Sequence, residues 1–123
     1  MAGDDPSVPV VVHLDSLELE GRSGAIWSLP HGGDLDANLV HLQPNGAIQP
    51  HVNHEVDVVI SVIAGDGHLI LGGASHELEN HVLALIPKGT RREIHAGGAG
   101  MTYLSIHRQR NALGITAKPR AGQ

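Results

Sequence analysis

The sequence has no cysteine and very few aromatic residues: phenylalanine is absent, and Trp27 and Tyr103 are the single tryptophan and tyrosine. Without cysteine, the chain can form no disulfide, no thiolate metal site and no cysteine nucleophile. No apolar run approaches the ~20 residues of a membrane-spanning helix, and the first residues lack the basic start and apolar core of a signal peptide. These absences predict a cytoplasmic protein with no membrane partner.

A basic surface is also missing. The formal net charge is −5 with histidine neutral, whereas a general nucleic-acid binder needs a positive surface. We therefore expect no nucleic-acid partner. Several of the basic residues crowd near the C-terminus, where a solvated tail is their expected role: Arg108, Arg110, Lys118 and Arg120.

The length and composition indicate one β-rich domain. A chain of 123 residues is one domain by length. Its apolar residues are mostly aliphatic, and 16 glycines interrupt them, which is typical of short strands joined by glycine turns. Turn signals every eight to twelve residues predict about eight to ten strands in an all-β sandwich or barrel. We expect a disordered N-terminus at 1–8, a single barrel domain at 9–113 and a flexible tail at 114–123.

Three segments carry specific expectations about the strands. The stretch "VPVVVHL" at 8–14 predicts a first strand. The "GDG" at 65–67 predicts a hairpin between two strands. The "GGAG" at 97–100 predicts a flexible turn, since neither the lysine nor the helix start of a phosphate-binding loop follows it.

Two segments resemble the motifs of the cupin family. The first family motif places one glycine before a His-x-His pair and a second after a glutamate, and Gly46 and Gly65 stand at the family's spacing. The second motif contains Pro-x-Gly, which Pro87 and Gly89 match in "LALIPKGTRREI". The resemblance covers residues 39–107. It implies an all-β, cupin-like double-stranded β-helix, or jelly-roll barrel, and a homodimer.

Without a gap, the first motif keeps one of its metal ligands. Its two histidine positions fall on Val52 and His54, and its glutamate position falls on Val58. One imidazole cannot hold a divalent metal at the usual affinity, because three or four protein ligands are needed.

With one extra residue in the strand, more of the motif's chemistry is kept. Such a β-bulge is common at barrel rims and beside active sites. The ligand positions then fall on His51, Asn53 and Asp57. Period-two alternation puts a polar stripe on one strand face, either lining the pocket or facing solvent: His51, Asn53, Glu55 and Asp57. Asp57 could instead pair with Arg91 or Arg92 and tie the strand entrance together.

Arg92 occupies the histidine position of the second motif. Its permanent charge would repel a metal cation, but it suits a ligand carboxylate or phosphate, or a partner such as Glu55 or Asp57. The alternative is that Arg92 bends to solvent and that Tyr103 only fills the core. The candidate ligand-binding residues are Asn53, Glu55, Arg92, Tyr103 and His107.

Two functions of different class follow. The first is binding of a small organic ligand, with Arg92 favouring an anion, in an aliphatic pocket without metal. The second is a metal-dependent cupin enzyme of the dioxygenase or isomerase type, with one divalent iron, manganese, nickel, copper or zinc ion. Its rearranged ligands would be His51, His54, Asp57 and His95. Since cupin-like barrels carry many activities, the sequence leaves open whether a metal is bound and whether the protein is an enzyme.

Overall fold

The structure, a computed structural model, describes residues 5, 7–30 and 33–109. The predicted tail at 114–123 and most of the predicted N-terminal segment at 1–8 lie outside these residues, so both boundaries stay predictions. The described part contains a 3-10 turn at Leu14–Ser16 and seven strands. The strands are β1 (Gly24–Ser28), β2 (Leu35–Leu42), β3 (Ala47–Val52), β4 (Val58–Leu71), β5 (Ala74–Glu79), β6 (Leu83–Ile86) and β7 (Arg91–Arg108). Within the described ranges, no helix is long and apolar enough to cross a membrane.

Two long strands, β4 and β7, organise the fold by pairing with each other along both of their halves. The first half of β4 also pairs with β6, and its second half pairs with β5. The first half of β7 pairs with β3, and its second half pairs with β2, which also pairs with β1. These antiparallel pairings define two layers. The first layer is β1, β2, the second half of β7, the first half of β4, and β6; the second layer is β3, the first half of β7, the second half of β4, and β5.

Glycines lie where β4 and β7 pass from one layer to the other. The register between these strands shifts twice here, between Val62 and Ala64 and between Gly65 and Gly67. Gly65 has a φ of +78°, and a Cβ added to it would overlap the main-chain carbonyl oxygen of Gly100 in β7. Only glycine therefore lets the two backbones approach this closely.

The glycine segments that were predicted as turns are strand interiors. Residues 65–67, predicted as a hairpin, lie inside β4, and residues 97–100, predicted as a flexible turn, lie inside β7. The hairpin that follows is formed by Gly72 and Gly73, whose positive φ angles suit a two-residue turn. Because two predicted breaks are absent, the described residues form seven strands rather than the expected number of about eight to ten.

The predicted first strand at 8–14 is also not formed. In the described residues this segment takes part in no strand ladder, and a 3-10 turn begins at Leu14. Its valines alternate between exposed and half-buried positions. Strand propensity alone did not produce a strand here, because no strand in the described part of the chain supplies a hydrogen-bonding partner.

Alternate residues of the strands point between the layers and form an aliphatic core. In β4, Val58, Ile60 and Val62 are buried, whereas Val59 and Ser61 between them are half-buried and face outward. The other buried apolar residues that pack with them are Leu42, Val56, Leu69, Leu78, Ile86, Ile94, Ala96, Met101 and Tyr103. The all-β architecture expected from the sequence is confirmed.

Candidate functional site

An open cavity of about 450 Å³ lies between the two layers, within the ~300–1,000 Å³ range of small-molecule sites. The apolar residues of its lining are Gly24, Ala25, Val40, Ile48, Pro50, Val58, Ile60, Ile86 and Ile94. The polar residues of its lining are Asn38, Gln49, His51, Asn53, Arg92, Tyr103, Ser105 and His107. They lie on two facing walls, one formed by each layer. Ala25 and Gln49 are exposed to solvent, so the mouth of the cavity lies beside β1 and β3.

Strand β3 contains a β-bulge just before His51. Ile48 pairs with Ile94 and His51 pairs with Arg92, so β3 has two residues between these pairs where β7 has one. The extra residue turns His51 toward the cavity. The Nδ1 of His51 lies 3.1 Å from the main-chain oxygen of Gln49. A carbonyl oxygen only accepts, so Nδ1 is the donor and the neutral ring keeps its lone pair on Nε2.

Only the first half of the predicted polar stripe reaches the cavity. His51 and Asn53 line it, whereas Glu55 and Asp57 are exposed and lie outside the wall. The reason is that β3 ends at Val52, and period-two alternation does not continue through the turn before β4. The Oδ1 of Asp57 accepts from the main-chain N–H of Lys88 at 2.9 Å. This carboxylate therefore ties two loops together as expected, but its partner is a main-chain group and not Arg91 or Arg92.

The predicted metal ligands are not brought together. Of the four, only His51 lines the cavity, and His54 and Asp57 are exposed. The side chain of His95 is 47% exposed, and its Nε2 lies 2.7 Å from Glu93 Oε2. Within the described ranges, no three His, Cys, Asp or Glu side chains are grouped so that they could hold a metal ion. The described residues therefore do not fit the divalent metal considered from the sequence.

Arg92 places a guanidinium on the second-layer wall of the cavity. The residue is 5% exposed, and its Nε donates to the main-chain oxygen of Thr90 at 3.1 Å. The main-chain N–H of Gly89 donates to the main-chain oxygen of Asn53 at 2.8 Å. These two bonds hold Arg92 and Asn53 beside the same turn at 87–90.

Asn53 is oriented by the chain that follows it. Its Oδ1 accepts from the main-chain N–H of Glu55 at 2.8 Å and of Val56 at 3.2 Å. This Asx turn leaves the Nδ2 amide as the group with which Asn53 can donate to a ligand. Among the described residues that line the cavity, none is acidic. The second-layer wall therefore offers hydrogen-bond donors and positive charge.

The opposite wall belongs to the first layer and carries a second polar group. Tyr103, Ser105 and His107 alternate along β7 and line the cavity, and Ser105 pairs with Asn38 of β2. The Nδ1 of His107 lies 2.8 Å from the main-chain oxygen of Arg108, so the neutral ring keeps its lone pair on Nε2. Asn38 and Ser105 were not predicted; the alternation that relates Tyr103 to His107 also selects Ser105.

Tyr103 is expected to titrate abnormally. Burial raises its pKa from 10.0 to about 12, because the phenolate would lose its hydration. Below pH 10 the phenol is protonated in both the folded and the unfolded state. Between pH 10 and 12 the unfolded state loses this proton first. The free energy of unfolding therefore falls by roughly 2–3 kcal/mol in total as the pH rises through this range. Absorbance at 295 nm reports this group alone, since it is the single tyrosine. Native protein that titrates like urea-unfolded protein would contradict the burial.

Two layers joined by two long bent strands around an open cavity define the double-stranded β-helix of the cupins. Among solved structures, Bacillus halodurans BH2720 matches with a TM-score of 0.73 and 21% identity, covering 98% of this chain and 91% of that one. An uncharacterized conserved protein from Klebsiella pneumoniae with a double-stranded β-helix domain matches with a TM-score of 0.72 and 17% identity, covering 85% of this chain and 94% of that one. A cupin protein from Bacteroides fragilis matches with a TM-score of 0.59 and 19% identity, covering 74% of this chain and 80% of that one.

The chain therefore has the cupin fold, and the resemblance in its sequence is confirmed at that level. A scan against protein-family models finds no match, and a search of curated proteins finds none either. Since cupin-like barrels carry many activities, function has to be argued from the cavity itself.

Proposed function

We propose that the protein binds a small organic carboxylate in the cavity between its layers. The observation that carries the proposal is Arg92, which is 5% exposed and lines the cavity. Its charge is permanent, and a guanidinium forms two parallel hydrogen bonds to a carboxylate. The bulge in β3, which places His51 opposite Arg92, completes the polar end of this wall.

The rest of the cavity supports a ligand with an apolar body. Val40, Ile60, Ile86 and Ile94 line it, and burial of apolar ligand surface against them contributes ~25 cal/mol per Å². The Nδ2 amide of Asn53 can donate to the second oxygen of the same carboxylate. A charged head on Arg92 and a hydrocarbon body against the aliphatic wall is the arrangement we expect.

Replacing Arg92 should abolish the preference for an anion. We expect wild-type protein to bind hexanoate and to bind hexan-1-ol far more weakly, and we expect Arg92→Met to weaken hexanoate binding about 100-fold, or about 3 kcal/mol. Arg92→Lys keeps the charge without the paired donors and should lie between the two. Titration calorimetry measures each affinity.

The matched control is Arg91→Met, since Arg91 is the exposed neighbour of Arg92 in β7. This variant should bind hexanoate like the wild type. Equal affinity for hexanoate and hexan-1-ol would overturn the proposal, as would equal losses in the two methionine variants. Far-ultraviolet circular dichroism verifies that each variant is folded before it is titrated.

The metal-dependent enzyme considered from the sequence is not adopted. His51 lines the cavity, but His54, Asp57 and His95 lie outside its wall. No contact among the described residues favours a metal-assisted reaction over ligand binding, and we assign no reaction to the protein.

We also propose that two copies associate through the outer face of the first layer. Two rows of directly opposed residues cross this face. The outer rows, as we name them, contain no charged side chain: Leu85, Val59, Ile106 and Ala37 in one, and Leu83, Ser61 and Leu104 in the other. The second row ends at Leu104, because the next residue across the sheet, Leu39, is 1% exposed and not available to a second copy. Leu83 is 65% exposed and Leu85 57% exposed, although large aliphatic side chains are usually buried.

A second copy of this chain is the occupant that the outer rows favour. An uncharged aliphatic face is self-complementary, as the two-fold interface of a homodimer requires. The net charge of −5 makes two copies repel elsewhere on their surfaces. A copy docked here would also cover β6, which in the described part of the chain pairs with β4 alone.

A further inference from the structure

We infer that the ligand class is a small hydroxycarboxylate, whose hydroxyl is recognised by the first-layer wall while Arg92 holds its carboxylate. The inference rests on the proposed function and specifies it. A plain carboxylate would use Arg92 and Asn53 and would leave the polar groups of the facing wall without a partner in the ligand.

The two polar groups come from different layers but line one cavity of about 450 Å³, so one small molecule can contact both. Arg92 lies in the first half of β7, which is part of the second layer, and Ser105 lies in its second half, which is part of the first. Both residues line the same cavity. Ser105 pairs with Asn38 on one side and with Ile60 on the other, so its hydroxyl lies between an amide and the aliphatic wall.

The hydrogen-bonding capacity of the first-layer wall matches a hydroxyl group. The Tyr103 phenol stays protonated and can donate, since burial raises its pKa to about 12. The Oδ1 of Asn38 accepts from Ser28 Oγ at 2.6 Å, which leaves Nδ2 as its donor group. The Nε2 of His107 is an acceptor in the neutral ring, because Nδ1 is the donor to a main-chain oxygen.

A hydroxyl satisfies this wall better than a keto oxygen does. A hydroxyl both donates and accepts, so it can accept from Tyr103 or Asn38 and donate to His107 Nε2. A keto oxygen only accepts, and it would leave His107 Nε2 facing the ligand without a donor. Leaving a buried polar atom unmatched costs more than a matched hydrogen bond gains, and His107 is 5% exposed.

The test compares hexanoate with its 2-, 3- and 5-hydroxy derivatives and with 2-oxohexanoate, all by titration calorimetry. We expect at least one hydroxy acid to bind about 10-fold tighter than hexanoate, and 2-oxohexanoate to gain less. Tyr103→Phe and Ser105→Ala should each weaken binding of the hydroxy acid more than binding of hexanoate, so that the ratio of the two affinities falls towards one. Ser61→Ala is the matched control, because Ser61 lies on the outward face of β4 in the same layer.

The outcomes separate the inference from the proposed function. Arg92-dependent binding of hexanoate, with no gain for any hydroxy acid, would overturn the inference and leave the proposed function standing. A gain that survives both Tyr103→Phe and Ser105→Ala, or that Ser61→Ala reduces equally, would also overturn it. Absence of binding by hexanoate and by every hydroxy acid would overturn both.

Discussion

Gly65→Ala is expected to destabilise the fold by at least about 3 kcal/mol. The added Cβ would overlap the carbonyl oxygen of Gly100, and this contact is between two backbones, so no side chain can move away. The φ of +78° adds strain for any residue with a Cβ. Urea unfolding followed by far-ultraviolet circular dichroism measures the loss.

Gly72→Ala is the matched control, because it introduces the same Cβ at a positive φ of +53° with no atom within 4 Å. It should cost only about 1 kcal/mol. Gly100→Ala should lie between the two, since its Cβ would lie 2.8 Å from the main-chain oxygen of Leu42. If Gly65→Ala fails to fold, the ranking of Gly100→Ala above Gly72→Ala still tests the argument. Equal losses at all three positions would contradict it.

These glycines also show why the fold class could be predicted and the strand boundaries could not. Composition and turn spacing indicate an all-β barrel, because they depend on local chemistry. A glycine, however, suits both a tight turn and a close approach of two backbones. Gly65 serves the second purpose, and its partner Gly100 lies in β7, far along the chain. No local feature of "GDG" distinguishes the two uses.

Part of the cavity lining could be singled out from the sequence. Arg92 was singled out by its position in the second motif, and it lines the cavity together with Tyr103 and His107. Glu55 does not, because the alternation assumed for it stops where β3 ends at Val52. Alternation needs a continuous strand, and the end of a strand depends on pairing with residues remote in the sequence.

The wall residues that the sequence missed depend on cross-strand pairing. Asn38 reaches the cavity because β2 pairs with β7 in the register that sets it opposite Ser105. Neither residue belongs to a motif. Ser105 could have been found from its position between Tyr103 and His107, whereas Asn38 could be found only once that register was known.

A double variant, Leu83→Glu with Leu85→Glu, is expected to convert the proposed dimer into monomers. Both side chains stand in the outer rows and are exposed in the single chain, so the folded monomer should tolerate the change. In a two-fold dimer the new carboxylates would be buried against aliphatic residues and against their own copies, which should raise the dissociation constant at least about 1,000-fold. Sedimentation equilibrium measures it directly.

The comparison that makes this prediction decisive is a second double variant with the same change in charge on the other layer. Ser75→Glu with His76→Glu alters exposed residues of β5, which belongs to the second layer. Wild-type protein and this control should sediment as dimers, at twice the chain mass of 12.9 kDa, while the Leu83/Leu85 variant sediments at the mass of one chain.

Unchanged association of the Leu83/Leu85 variant, or loss of association in both double variants, would place the contact elsewhere. Monomeric wild-type protein at every concentration would remove the proposed dimer and leave the cavity proposals unaffected, since every residue in the cavity wall comes from a single chain.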